Sequence, residues 1–82
     1  MNEQSLPLFY RIETIDGYPI YINVSNIDSI RNNSTNSNWS DIYIVGNTNF
    51  YSVRISPEEL ISSITNEFIN SKNTLNRFTS YK

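Results

Sequence analysis

Asp41-Ile42-Tyr43-Ile44-Val45-Gly46-Asn47-Thr48-Asn49-Phe50-Tyr51-Ser52-Val53-Arg54-Ile55-Ser56-Pro57-Glu58-Glu59-Leu60-Ile61 is the stretch that decides the fold. Its first part alternates β-branched and other side chains with period two, the pattern of a strand with one buried face. Gly46 opens a four-residue hairpin loop, Gly46-Asn47-Thr48-Asn49, and Phe50 to Ile55 returns as a second strand. At Ser56 the chemistry changes. Ser56 is a helix N-cap, Pro57 suits the first helical turn, and Glu59 completes a capping box. Glu58 and Glu59 also favour the positive end of the helix dipole. The spacing then becomes that of a helix, with Leu60, Ile61, Ile64, Phe68 and Ile69 on one stripe that can cover a sheet. The helix is predicted to run from Pro57 to about Ser71, with Asn73 as its stop.

Towards the N-terminus the reading stays with strands. Leu8 to Ile15 reads as one, and Asp16-Gly17 as a hairpin turn that uses the positive φ open to glycine. Ile20, Ile22 and Val24 alternate with Tyr21 and Asn23 in the next, with Pro19 just before it, where a missing N–H does least harm. Ser25-Asn26 turns the chain into a short strand from Ile27 to Arg31. Asn32 to Ser40 has no periodicity and reads as a mobile loop holding Trp39. The predicted fold class is α+β, mainly β: a five-stranded antiparallel meander followed by one amphipathic helix. Residues 1–82 form a single small domain, with 1–7 and 73–82 as flexible or partner-docking tails. Leu75, Phe78 and Tyr81, three residues apart, fit either a frayed tail or a further helical turn that docks on the body or on a neighbouring subunit.

Composition bounds the function. The 82 residues include no cysteine, histidine or alanine. Disulfides and the common zinc and iron ligand sets are therefore excluded. A core this small is marginal without such staples, and self-association is the remaining support, so a homo-oligomer is expected. Six Lys and Arg against eight Asp and Glu give a net charge of −2. That balance argues against a nucleic-acid polymer as partner, because phosphate-backbone binding needs a basic patch. The polar start, Met1-Asn2-Glu3-Gln4, is unlike a signal peptide, and no apolar run is long enough to span a bilayer. A cytoplasmic protein without a membrane partner is expected. The Ile, Asn and Ser bias is that of AT-rich coding sequences, as in phages and low-GC bacteria.

No residue set points to catalysis. A nucleophilic triad lacks its histidine. Glu58 and Glu59 are explained by capping, Asp16 by the turn and Asp41 by a strand edge, while Gly17 and Gly46 sit in hairpins. The chain reads as a non-enzyme that needs no cofactor or metal.

The pattern resembles the FlbD family of small flagellar accessory proteins, also called SwrD, over about residues 9–64. The residues that carry the resemblance are Ile15-Asp16-Gly17, Ile20-Tyr21-Ile22-Asn23, Ile27-Asp28-Ser29-Ile30, Ile42-Tyr43-Ile44-Val45-Gly46, Tyr51-Ser52-Val53 and Ser56-Pro57-Glu58-Glu59-Leu60-Ile61. The resemblance implies a β-rich fold with a capped helix and a role as a protein–protein accessory or adaptor. Tyr18-Pro19, the loop with Trp39 and the aromatic tail have no counterpart in the family's pattern.

Candidate binding residues come from the alternation. If Ile12, Ile20, Ile22, Val24, Ile42, Ile44, Val53 and Ile55 face the helix, the opposite face carries Phe9, Arg11, Glu13, Tyr21, Asn23, Tyr43, Val45, Phe50, Ser52 and Arg54. That face is aromatic and arginine-rich, a composition enriched at binding hot spots. It suits a subunit interface or a small anionic, nucleotide-like ligand. Arg11, Arg31 or Arg54 would then pair the anion, and Tyr21, Tyr43 or Phe50 would stack on a planar group. Trp39 anchors its loop on the core or covers a bound ligand. Two functions are carried forward: sequestration of a small anionic signal by a phage or mobile-element protein, and the adaptor role.

Overall fold

A computed structural model describes residues 8–79, with backbone alone over 71–79. The expectations for residues 1–7, 80–82 and the side chain of Tyr81 lie outside the described residues. Five strands precede one helix: β1 Phe9–Glu13, β2 Pro19–Asn23, β3 Ile27–Asn32, β4 Ser40–Ile44, β5 Phe50–Val53 and α1 Pro57–Thr79. The architecture is α+β and mainly β, as the alternation predicts.

The five strands do not form one meander. They make a two-stranded sheet, β1-β2, and a three-stranded sheet, β3-β4-β5, all pairs antiparallel. The reason lies at Ser25-Asn26, which reads as a turn in the sequence. A tight hairpin twisted to suit its strands needs a residue at positive φ. Among the described residues only Gly17 (φ 90) and Gly46 (φ 80) adopt one, and they serve the β1–β2 and β4–β5 connections. Val24–Asn26 instead forms a 3-10 turn, capped by Asn23, whose Oδ1 accepts from the Ser25 N–H at 3.1 Å and from its hydroxyl at 2.9 Å. The turn carries the chain away from β2, so β2 and β3 form no ladder. Val24 lies in this turn rather than at the end of a strand, yet it still packs against the core.

The sheets meet through β1 and β5. β1 ends at Glu13, not Ile15, because Thr14 bridges to Val53 and the Ile15 N–H donates to Ser52 O at 3.0 Å. β5 correspondingly ends at Val53 rather than Ile55. Pro19 is the first residue of β2 and pairs with Glu13. One core joins all three parts: Ile12 and Ile22 from the first sheet, Ile42 and Val53 from the second, Leu60 and Ile64 from the helix. Ile20, Val24, Ile44 and Ile55 pack against it, so the inner face is the one the alternation assigns.

Two contacts set the helix on the sheets. Ser40, fully buried, donates its hydroxyl to Ile55 O at 2.6 Å and fixes the chain as it leaves β5. Ser56 Oγ then accepts the Glu59 N–H at 3.3 Å, the expected cap. The helix continues to Thr79, beyond the stop predicted at Asn73. Asparagine ends a helix chiefly by adopting positive φ, and among the described residues no non-glycine residue does so. Only the start of the stripe covers the sheets. Leu60 and Ile64 are buried, whereas Ile61, Phe68 and Ile69 are each about half exposed, contrary to the expectation that all five would be covered. At about 1.5 Å per residue, 23 residues outrun sheets whose strands have four to six.

Candidate functional site: an arginine-lined groove at the seam of the sheets

The outer face of β3-β4-β5 is a grid of three rows. Ser29, Tyr43 and Phe50 lie side by side, and so do Arg31, Asp41 and Ser52. The third row holds Asn33, whose N–H donates to Trp39 O at 3.0 Å, then Trp39 itself. Extending the β4–β5 register past Ser40–Val53 by one residue puts Arg54 opposite Trp39.

The rings and guanidinium groups of this grid stack on one another. Tyr43 and Phe50 have centroids 4.9 Å apart at 29°, and the Arg31 guanidinium carbon lies 4.1 Å from the Tyr43 centroid. The Arg54 guanidinium lies 5.4 Å from the Trp39 centroid, within cation–π range. Stacking uses the guanidinium face and leaves its in-plane N–H groups for an acceptor. Arg31 spends one on Ser29 Oγ at 3.2 Å, and Arg54 one on Ile15 O at 3.2 Å. Trp39 thus contacts an arginine at the outer face.

Asp41 is the centre of the grid. It is buried, with 6% of its surface exposed, and is not the strand-edge residue the sequence suggests. Its Oδ1 accepts from Asn33 Nδ2 at 2.8 Å and from the Ser52 hydroxyl at 2.7 Å. The Asn/Ser loop, expected to be mobile, is bonded throughout. Asn33 Oδ1 accepts the N–H groups of Thr35 and Asn36, Asn36 Oδ1 accepts that of Asn38, and Asn32 Nδ2 donates to Ser37 O. Asparagine side chains replace a ladder here by mimicking backbone turns.

Arg11 and Tyr21 lie elsewhere, as cross-strand partners on the exposed face of β1-β2. The single face assembled from the alternation is therefore divided between two sheets. What reunites part of it is a groove of about 400 Å³ at the seam, beside the Thr14–Val53 bridge. Arg11, Glu13 and Arg54 line it together with apolar Ile12, Val53 and Leu60. Among the described residues Arg11, Arg31 and Arg54 make no ion pair with a carboxylate. Two arginines against one glutamate among its lining residues give the groove a positive balance on a protein of net charge −2. Tyr43, Phe50 and Tyr21 do not line it. A second depression, about 360 Å³, lies by Thr14, Tyr18, Phe50 and Ser52.

Sequence reasoning counted Arg31 among the anion-pairing arginines but did not foresee its stack on Tyr43, and it missed the role of Asp41. The signal for the second was weak but present: an aspartate opening an apolar strand, next to a loop supplying amide donors. No protein-family model matches the chain, and no curated protein or solved structure is significantly similar to it. Among the described residues no helix is long and apolar enough to cross a membrane.

Proposed function

We propose that this protein is a non-catalytic, self-associating binding module that holds a small anionic ligand with a planar part, of nucleotide type. The observation that carries this reading is the seam groove, where Arg11 and Arg54, 43 positions apart in the chain, line one apolar-floored space and, among the described residues, neither is ion-paired with a carboxylate. Its volume falls in the range of small-molecule sites. Each arginine offers paired N–H groups that match phosphate oxygens. Ile12, Val53 and Leu60 offer apolar surface to the rest of the ligand, and Trp39, behind Arg54, is near enough to respond. Such a protein works by occupancy. Small size, acidity and Ile/Asn/Ser composition fit a phage or mobile-element protein that sequesters a nucleotide signal.

The test is calorimetric titration with linear and cyclic mono- and dinucleotides, alongside native mass spectrometry of protein taken gently from its host. At least one nucleotide should bind. Arg11→Ala with Arg54→Ala should weaken it by at least about 100-fold, since hydrogen bonds to charged groups are worth about 1.5–3 kcal/mol each. Full affinity in the double variant, or no anion bound at all, removes this assignment.

A second reading, the FlbD-like adaptor, is favoured by the exposure of Tyr21, Val45 and Phe50 on the outer faces. A protein retained in the native spectrum in place of a small molecule would select it.

A further inference from the structure

The apolar stripe of the helix outlasts the surface it covers. Leu60 and Ile64 are buried against the sheets, but residues 65–70 are all exposed, and Ile61 and Ile69 stand half in water on either side of Thr65. Apolar residues recur beyond the point where the sheets end, at Phe68, Ile69, Leu75 and Phe78. Ile61, Phe68 and Leu75 are seven residues apart, and so are Ile64, Ser71 and Phe78. The first row has the spacing of one seam position of a heptad repeat, on a backbone that remains helical to Thr79, whereas the second begins at Ile64, which the chain's own sheets cover, and passes through polar Ser71.

We propose that the helix is the self-association element, and that two copies of this chain pair antiparallel along it. The occupant follows from charge and from room. Glu58, Glu59 and Glu67 lie in the first half of the helix, Lys72 and Arg77 in the second. Antiparallel pairing sets each acidic half beside a basic one and opposes the two macrodipoles, whereas parallel pairing sets like against like. The sheets occupy only the N-terminal end of each helix. Antiparallel partners carry them at opposite ends, and parallel partners would bring both to the same place. Phe68 is the middle residue of Pro57–Thr79, so full overlap centres the two-fold axis on it and puts position 61 of one copy opposite position 75 of the other.

A standard interface takes about 800 Å² from each partner, more than Ile61, Phe68 and Ile69 alone supply. The pairing therefore uses the whole length of the helix. This inference gives the self-association in the proposed function its surface and is independent of the ligand. The Arg11→Ala, Arg54→Ala variant should dimerise as the parent does, so failure of one reading leaves the other standing.

The experiment is sedimentation velocity of the full chain over roughly 1–200 μM, a span that covers micromolar dissociation constants. The parent should be dimeric at the upper end. Ile61→Glu with Phe68→Glu should be monomeric throughout while keeping the parent's circular dichroism, because both positions lie on the seam row and are about half exposed in one copy. Register is read by crosslinking, which is clean in a chain without cysteine. A mixture of Ile61→Cys and Leu75→Cys should oxidise to a dimer, and Ile61→Cys alone should not. A parent monomeric at every concentration, or a folded double-Glu variant that still dimerises, overturns the proposal. Self-crosslinking of Ile61→Cys overturns the antiparallel arrangement.

Discussion

Replacing Asp41 tests whether the outer face of β3-β4-β5 is organised from beneath. Its Oδ1 accepts from both Asn33 Nδ2 and Ser52 Oγ, and both donors come from part-buried surroundings. Hydrogen bonds to a charged group are worth about 1.5–3 kcal/mol, against about 0.5–1.5 for neutral pairs. Asp41→Ala removes both and leaves two donors without an acceptor. Sparing the burial of a carboxylate offsets part of that loss, which leaves a net cost of about 3 kcal/mol. Asp41→Asn keeps the accepting oxygen and converts two charged bonds to neutral ones, a loss of about 2–3 kcal/mol that sparing the burial of a carboxylate again reduces, to about 1.5 kcal/mol. The other oxygen accepts no hydrogen bond, yet among the described residues no buried side-chain polar atom lacks a partner, so it reaches the surface and tolerates an amide.

For a chain of 82 residues the unfolding entropy is about 0.17 kcal/mol/K, which turns these costs into falls in Tm of about 17 and 9 °C. Total stability at this size is about 4–12 kcal/mol, so the alanine variant would be marginal. Urea unfolding at one fixed protein concentration, followed by circular dichroism and by Trp39 fluorescence, measures both. Asp41→Ala should also shift Trp39 emission before unfolding, because the loop bonds of Asn33 lose their anchor. If alanine and asparagine cost the same, or alanine costs under about 0.5 kcal/mol, the two-bond account is wrong.

Two further outcomes follow from burial and backbone geometry. Leu60→Ala, at a position 1% exposed, should cost about 3 kcal/mol in the same assay, whereas Val45→Ala, at 62% exposure, should stay within about 0.5. Gly17→Ala should cost about 1–2 kcal/mol through backbone strain alone, since φ is +90° and an added Cβ meets nothing within 4 Å. Gly17→Asn should cost less, because asparagine tolerates that region better, and equal losses in the two variants would disprove the backbone explanation.

Local chemistry was legible in the residues; closure between distant strands was not. Alternation found each strand, and the inner face of every strand but β3, because burial of Ile12, Ile22, Ile42 and Val53 imposes period two directly. Ser56-Pro57-Glu58-Glu59 fixed the helix start because a cap is a short-range device. The division into two sheets was hidden because it depends on what Ser25-Asn26 cannot do, and on a bridge between Thr14 and Val53 that no periodicity encodes. The helix end was missed for a related reason, since Asn73 is a stop only if it takes positive φ. Of the candidate site, Arg11 and Arg54 share a groove and Tyr43, Phe50, Trp39 and Arg54 share a face. Tyr21 was set beside them by pattern alone, because period two tells which side of a strand a residue takes but not which sheet that strand joins.

The seam also has a meaning for how the chain folds. Every ladder joins strands that are consecutive in sequence, so β1-β2 and β3-β4-β5 can each assemble from short closures. Thr14–Val53 and the Arg54–Ile15 bond close over 39 positions instead. Loop-closure entropy grows as (3/2)RT ln n, so joining the halves costs about 1.8 kcal/mol more than a five-residue hairpin. The groove lined by the two arginines should therefore form only once these longer-range contacts close, because its walls come from ladders that can assemble separately.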